Sequence, residues 1–364
     1  MKPLRALVVD DSSINRRMLA TLLENMEGIG CVDVAGDGAE ALRFVDAQPP
    51  DFITLDLEMP RLDGFEFLEL LMGRKPLPVV VVSAHSAKEH VFRALELGAI
   101  DFLPKPSHED PGDPVQTLRE QLAEKVRIVR HLSPLAVQQP RSAAASWLTA
   151  SLARESRPPV NSSTEPGTVI VIGASTGGPR ALFHLLQKLH QDVDAAVVIA
   201  QHMPPRFTRT FAVRLDRETA FRVSEAEPFE RLRRGHVYVC PGGRCVELFP
   251  SERGPALRVV EPASGVRYVP SADQLFRSAA NTLGRRAIAV VLTGMGRDGA
   301  DGVLAISQGG GQVLIESPET AVVSGMPSAA RATGVPHDLL PLDRLALALS
   351  DLTTQGVKSP NSWS

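Results

Sequence analysis

The residues most open to chemistry are Gly173-Ala174-Ser175-Thr176-Gly177-Gly178, which follow the apolar run Val169-Ile170-Val171-Ile172 and precede a helix-like segment opening at Pro179. A β-branched run, then Gly-x-Ser-x-Gly, then a helix can hold a serine hydroxyl up on a tight turn, with helix N-terminal amides aimed at the space above it. Ser175 is therefore a candidate nucleophile. The same small residues also suit a plain strand-to-helix turn, or a loop that cradles a dinucleotide phosphate. A serine hydroxyl is a poor nucleophile at neutral pH unless an imidazole takes its proton and a carboxylate orients that imidazole. Gln201-His202 follows the apolar run Ala196 to Ala200, and Asp298 lies in the loop Thr293-Gly294-Met295-Gly296-Arg297-Asp298-Gly299 after the run Ala287 to Leu292. In a parallel sheet both arrive at the same edge as Ser175. Taken alone, His202 suits a core position or a ligand as well as a base. Asp301 is a rival acid, for which capping the next helix is the simpler account. His184, His190 and His236 read as surface or structural residues.

A second set of polar residues sits near the other end of the chain. Asp10 and Asp11 follow the run Leu7-Val8-Val9, Asp56 ends Phe52 to Leu57, Ser83 ends Val79 to Val82, and Lys105 with Pro106 follows Asp101 to Leu103. Singly these have dull explanations: Asp11 or Ser12 can cap a helix, and Lys105 can be a solvated loop lysine. Together, three carboxylates at one sheet edge repel unless a divalent cation joins them, and hard oxygen ligands suit Mg²⁺. A phosphoryl group on Asp56 would have its charge met by that ion, Lys105 and the Ser83 hydroxyl.

The elements that must position these residues follow from the apolar patterning. Residues 4 to 106 alternate five short apolar runs with amphipathic stretches, which predicts a parallel sheet covered by helices on both faces. Val115 to Leu132 places Leu118, Leu122, Val126 and Val129 on one helical face and closes this domain. Ser133 to Pro166 is rich in Pro, Ser and Ala, the composition of a linker, with Trp147-Leu148 and Leu152 as its apolar patch. From Thr168 the alternation resumes, with helices expected at Pro179 to Leu189, Pro205 to Leu215 and Ala272 to Leu283. Val237-Tyr238-Val239, Val246 to Phe249 and Leu257 to Val260, separated by Pro-Gly-Gly and Gly-Pro, predict a β-hairpin insertion. The expected organisation is a first domain over 1–132, a linker over 133–166 and a second domain over 167–352. The fold class is α/β, with two doubly wound parallel-sheet domains, one flavodoxin-like and one Rossmann-like.

A chain of 364 residues can form two such cores. With 39 Lys+Arg against 42 Asp+Glu, the net charge of −3 gives no electrostatic reason to expect nucleic acid or an anionic membrane as partner. Three scattered cysteines make neither a disulfide framework nor a zinc site, and reduced thiols in the cytoplasm fit them. No apolar run reaches membrane-spanning length, so no membrane insertion is expected.

The acidic set with Ser83, Lys105 and their strand-end context resembles the response-regulator receiver domain over the first third of the chain. That resemblance implies Asp56 as phospho-acceptor, a Mg²⁺ site at Asp10, Asp11 and Asp56, and Lys105 contacting the phosphoryl group through a cis bond to Pro106. It also implies Ser83 and Phe102 as a switch pair, and a histidine kinase as phosphodonor. The order Ser, His, Asp differs from that of α/β-hydrolases. From Val169 to about Gly334 the chain instead resembles the catalytic domain of chemotaxis receptor methylesterases, the CheB-type family. The match rests on residues 173–178, Gln201-His202-Met203-Pro204-Pro205, Pro270-Ser271-Ala272-Asp273, residues 293–299 and Ser324-Gly325-Met326-Pro327-Ser328. It implies Ser175, His202 and Asp298 as the triad, with Thr176 and the Met295 backbone at the oxyanion site. Arg297 and the segment around Arg267-Tyr268 depart from the family pattern. The implied reaction is hydrolysis of glutamate γ-methyl esters on the cytoplasmic helices of methyl-accepting chemoreceptors, releasing methanol and needing no cofactor, with deamidation of receptor glutamines beside it. The unphosphorylated receiver is expected to cover the Ser175 edge. The rival reading is a non-catalytic response regulator whose second domain only binds a partner.

Overall fold

The computed structural model describes residues 2–83, 88–106, 113–132 and 165–354. Trp147, Leu148 and Leu152, with residues 133–164 of the expected linker, lie outside the described residues. The chain divides into two compact units, Met1–Arg141 and Ser142–Ser364.

The first unit alternates β1 (Leu4–Val9), α1 (Ser13–Glu24), β2 (Ile29–Ala35), α2 (Gly38–Ala47), β3 (Phe52–Leu55), α3 (Gly64–Arg74), β4 (Val79–Ser83), α4 (Lys88–Glu96), β5 (Asp101–Pro104) and α5 (Pro114–Val129). Its strands form one parallel sheet in the order β2-β1-β3-β4-β5. Central strands of such a sheet are covered on both faces, which is why β3, and β4 up to Ser83, are apolar or β-branched runs, with every residue of both strands buried. Helix starts are fixed by side chains: Ser12 accepts from the Asn15 amide, and Asp63 and Glu66 form a capping box. The cis bond expected at Lys105-Pro106 is not present; the cis X-Pro bond among the described residues is Val269-Pro270. Lys105 reaches its carboxylate partners from a trans linkage.

The second unit runs β6 (Thr168–Ala174), α6 (Gly178–Lys188), β7 (Ala195–Gln201), α7 (Phe207–Glu218), β8 (Arg222–Glu225), β9 (His236–Val239), β10 (Cys245–Ser251), β11 (Gly254–Val260), α8 (Ala272–Leu283), β12 (Ala287–Val291), α9 (Ala300–Gln308), β13 (Gln312–Glu316), α10 (Gly325–Arg331), β14 (Asp338–Leu340) and α11 (Leu342–Thr354). Seven strands make a wholly parallel sheet in the order β14-β13-β12-β6-β7-β9-β8. Val237 to Val239 therefore belongs to the main sheet rather than to the insertion. Its three residues are buried and pair in parallel with β7 and β8, so the antiparallel hairpin is β10 and β11 alone. The fold is α/β as the patterning predicts. Phe276, Leu275 and Ala279 of α8 pack with Val171, Val198 and Ala289 into one core.

The sheet starts in its middle. β6 lies between β7, reached first, and β12, reached much later, so the chain fills one side of the sheet with β7, β8 and β9 before crossing to β12, β13 and β14 on the other. At such a switch point the loops leaving adjacent strands diverge and open a crevice at the carboxyl edge. Ser175 stands at that edge, directly after β6.

Candidate functional site

Ser175 follows β6 directly and is buried to 6 % exposure. Its amide donates to the Thr293 carbonyl at 3.0 Å, its carbonyl accepts from Gln201 Nε2 at 2.9 Å, and the Gly178 amide also donates to that carbonyl, at 2.8 Å. The turn is thus tied to both neighbouring strand ends. Only glycines permit this closeness. Gly177 adopts φ 79° as the α6 N-cap, and a Cβ on Gly294 would lie 2.7 Å from Ser175 Cβ.

His202 is placed by the register of β6 and β7. Ala174 pairs with Gln201, and the His202 amide donates to the Ala174 carbonyl at 2.9 Å, so His202 and Ser175 leave adjacent strands side by side. Asp298 arrives from the loop after β12. His202 Nε2 and Asp298 Oδ2 are 2.7 Å apart, with the two side chains 11 % and 4 % exposed. An ionised carboxylate can only accept, so Nε2 carries the proton of that bond and Nδ1 is the basic nitrogen. Nδ1 is buried and has no hydrogen-bond partner. No hydrogen bond joins it to Ser175 in this state, which is common before substrate is bound.

Asp298 is held as an anion by a helix start. Ser271, the α8 N-cap, donates its hydroxyl to Oδ1 at 3.1 Å, and the Ala272 and Asp273 amides donate at 2.7 and 2.9 Å. Burial alone would raise its pKa. The hydrogen bonds from His202 and from these amides outweigh burial and hold the carboxyl below its ordinary value. Asp301 is not the α9 cap, because Gly299 occupies that position; its carboxylate instead meets Arg297 at 3.0 Å and Arg277 at 3.4 Å in the exposed first turn. His184 pairs with Asp343 at the surface, while His236 stacks on Tyr238 and meets Ser224. None of these three residues joins the Ser175 edge.

Thr176 is buried, and its carbonyl accepts from Thr293 Oγ1 at 2.9 Å. Met295 lies in the loop beside Ser175. The Gly294 amide and carbonyl are both taken, by Val323 and Met326, whereas the Met295 amide is engaged by no hydrogen bond. It is an open donor in the loop that passes Ser175.

Thr293, Glu316 and Tyr268 also belong to this region, and sequence reasoning gave them no role. Thr293 Oγ1 also accepts from the Val323 amide at 2.9 Å, and the Thr293 amide donates to the buried Glu316 at 2.7 Å. Tyr268 stacks on His202 with centroids 4.9 Å apart and planes 3° from parallel. Ser271 carried a readable sign, a serine just before an apolar-periodic helix, but nothing in the sequence marked what else its hydroxyl would hold.

In the first unit, ligand oxygens of Asp10, Asp11 and Asp56 lie within 4.8 Å of one another. Lys105 Nζ stands 2.6 Å from Asp56 Oδ2 and 2.9 Å from Asp10 Oδ2. The Asp10 contact is an ion pair without hydrogen-bond geometry, so this buried oxygen keeps an unused lone pair. Burial pushes the Asp10 carboxyl up, and the nearby Asp56 adds to that against the pull of Lys105. Burial lowers the Lys105 ammonium, but the two carboxylates of Asp56 and Asp10 beside it outweigh burial and raise the pKa. A cluster of hard, underused oxygens fits a divalent cation. Ser83 is buried at the end of β4, and its carbonyl accepts the Lys105 amide at 2.8 Å. Phe102, on the adjacent β5, is buried edge-on to Phe92 at 6.4 Å.

Comparison with known proteins agrees with this layout. The family described as CheB methylesterase matches residues 170–349, and the Response regulator receiver domain matches residues 6–112. The chain is 45 % identical over 348 residues to protein-glutamate methylesterase/protein-glutamine glutaminase 1 of Myxococcus xanthus, covering 95 % of this chain and 96 % of the relative. It is 47 % identical over 352 residues to enzyme 6 of that name from Anaeromyxobacter dehalogenans, covering 96 % and 95 %. The crystal structure of the Thermotoga maritima CheB methylesterase catalytic domain aligns with a TM-score of 0.50 at 36 % identity, covering 51 % of this chain and 98 % of that one. Identity of this level along nearly the whole length, over both units, shows the family: the chain belongs to the CheB-type protein-glutamate methylesterases/protein-glutamine glutaminases, enzymes with a receiver domain and a methylesterase domain.

Proposed function

We propose that Ser175, His202 and Asp298 are the catalytic triad of this hydrolase, acting on glutamate γ-methyl esters of methyl-accepting chemoreceptor helices. The observation that carries this is the meeting of three consecutive sheet positions: Ser175 after β6, His202 after β7, and Asp298 after β12, with Asp298 bound to His202 at 2.7 Å. His202 Nδ1 takes the Ser175 proton as Oγ attacks the side-chain acyl carbon. The resulting oxyanion is met by the Met295 amide beside Thr176. The proton then passes from Nδ1 to the departing methoxide, and methanol leaves. Water, deprotonated by the same nitrogen, attacks the acyl-serine, releasing the glutamate carboxylate and restoring the Ser175 hydroxyl. Receptor glutamines follow the same path with ammonia as the leaving group.

The receiver supplies regulation. Asp56 accepts a phosphoryl group from a histidine kinase, and Asp10, Asp11 and Asp56 hold the Mg²⁺. When bound, that ion neutralises charge on the phosphoryl oxygens. Lys105 and the Ser83 hydroxyl meet the rest of that charge, and Phe102 follows the hydroxyl. Phosphorylation uncovers the Ser175 edge, and the enzyme works in the cytoplasm during chemotaxis adaptation. Residues 1–132 form the receiver, 133–166 the linker and 167–352 the catalytic domain. No helix among the described residues is long and apolar enough to cross a membrane.

The test is methanol release from a methylated receptor fragment with and without acetyl phosphate and Mg²⁺. The phosphodonor should raise the rate of the full chain and leave Asp56→Ala unchanged; equal stimulation of both would remove Asp56 from the mechanism. Retained methanol release by Ser175→Ala would remove Ser175 as the nucleophile, and no methanol release from the wild-type chain would favour the non-catalytic reading.

A further inference from the structure

Asp298 fixes one edge of the His202 imidazole, and Tyr268 covers a flat face. The two rings are parallel to within 3° with centroids 4.9 Å apart. Tyr268 reaches this place from the segment before α8, outside the residues whose pattern points to chemistry. The glycine loop is shaped around it. Gly296 has φ 94°, and a Cβ there would lie 2.6 Å from the Tyr268 hydroxyl oxygen, so a larger residue at 296 would collide with the phenol. A ring stacked on a candidate base, with its far end seated against the loop that carries Met295 and Asp298, connects both parts of the site.

We propose that Tyr268 is a positioning residue for the hydrolysis, whose ring fixes the plane of His202 and favours its imidazolium form in the transition state. The inference rests on His202 being the base. The face of an aromatic ring carries partial negative charge, so a neutral imidazole on it gains packing alone, while an imidazolium also gains electrostatic attraction. The contact therefore strengthens when His202 takes the Ser175 proton, which is the condition for an interaction to raise kcat rather than merely tighten binding. Other titratable or charged groups among the described residues also bear on this pair. Asp298 lies on Nε2; Asp273 and Cys245 bear on Asp298 from α8 and β10; Arg267 lies with its guanidinium 5.4 Å from the Tyr268 centroid. Arg267 competes for the same ring and works against the imidazolium, so the Tyr268 contribution is read with Arg267 in place.

The experiment uses the full chain with acetyl phosphate and Mg²⁺, measuring methanol release from a methylated receptor fragment across pH for wild type, Tyr268→Phe, Tyr268→Leu and Tyr268→Met. Thermal unfolding of each variant reports on the fold. His202→Ala is the control. Tyr268→Phe keeps the aromatic face and should stay within about threefold of wild type, with the acid limb of kcat/KM in place. Tyr268→Leu and Tyr268→Met should lower kcat by about fivefold to tenfold and move the acid limb about half a pH unit downward, with KM little changed. A raised KM with an unmoved acid limb would make Tyr268 a wall for substrate and overturn the proposal. So would a Phe variant as impaired as Leu, because then the hydroxyl and not the ring face matters. Turnover by His202→Ala would overturn the triad itself. An inactive His202→Ala together with an unmoved limb in Tyr268→Leu would overturn the Tyr268 proposal alone.

Discussion

The Glu316 carboxyl, 1 % exposed at the end of β13, accepts the Thr293 amide at 2.7 Å, and the carbonyl of that same Thr293 accepts the Ser175 amide at 3.0 Å. A buried acid thus supports the nucleophile turn through one residue. Its other oxygen accepts from Thr320 Oγ1 at 2.9 Å, a hydroxyl that can equally accept, so the pocket suits the protonated carboxyl as well as the anion.

Burial pushes Glu316 from its ordinary 4.5 up to about 7, against the Thr293 and Thr320 bonds. Below pH 4.5 the folded and unfolded chains both hold the proton. Between there and about pH 7 only the folded chain keeps it, so stability falls as pH rises through this window and is level above it. Glu316→Gln removes that loss, and its stability relative to wild type should improve from pH 5 to pH 8 by on the order of 3 kcal/mol. Denaturant unfolding at both pH values checks this. A difference independent of pH would show that Glu316 does not hold its proton in the fold.

Asp298→Asn should lower kcat by about 10⁴-fold. Asp298 accepts from His202, Ser271 and the Ala272 and Asp273 amides. An asparagine turns part of that acceptor into a donor and leaves the imidazole without the anion that sets its tautomer. Steady-state methanol release measures this, and a loss under tenfold would contradict the role given to Asp298.

Met295 contributes its backbone, so side-chain and backbone changes should separate. Met295→Ala keeps the amide and should stay within about threefold, while Met295→Pro removes it and should cost about 10²-fold to 10³-fold in kcat. Equal effects of the two variants would place the oxyanion donor elsewhere.

For the receiver, chelation with EDTA should abolish the stimulation of methanol release by acetyl phosphate, and Mg²⁺ should restore it. The unused lone pair of Asp10 Oδ2 beside Asp56 and Asp11 motivates this expectation. Stimulation that persists in EDTA would remove the metal from the acidic cluster.

Much of this layout was legible in the residues because parallel strands announce themselves as apolar runs, and their ends announce the functional edge. Ser175, His202, Asp298 and Asp56 all follow such runs, and α8 begins and ends where its apolar periodicity does. Val237 to Val239 misled because turn residues on one side of it look alike whether the strand joins a hairpin or the main sheet; only pairing with β7 decides. Tyr268, Thr293 and Glu316 were illegible for a different reason. Each acts through a contact far away in sequence, Glu316 across 23 positions to Thr293, and no local spacing encodes such a meeting. The trans bond at Lys105-Pro106 likewise depends on tertiary context, since X-Pro bonds take either form at small cost.

The central claim is that Ser175 is the nucleophile, and methanol release by Ser175→Ala tests it most directly. The full chain carrying that substitution, folded as wild type, is expected to lose turnover of a methylated receptor fragment by on the order of 10⁵-fold or more while Asp56 still accepts phosphate. Turnover near the wild-type rate would contradict the account.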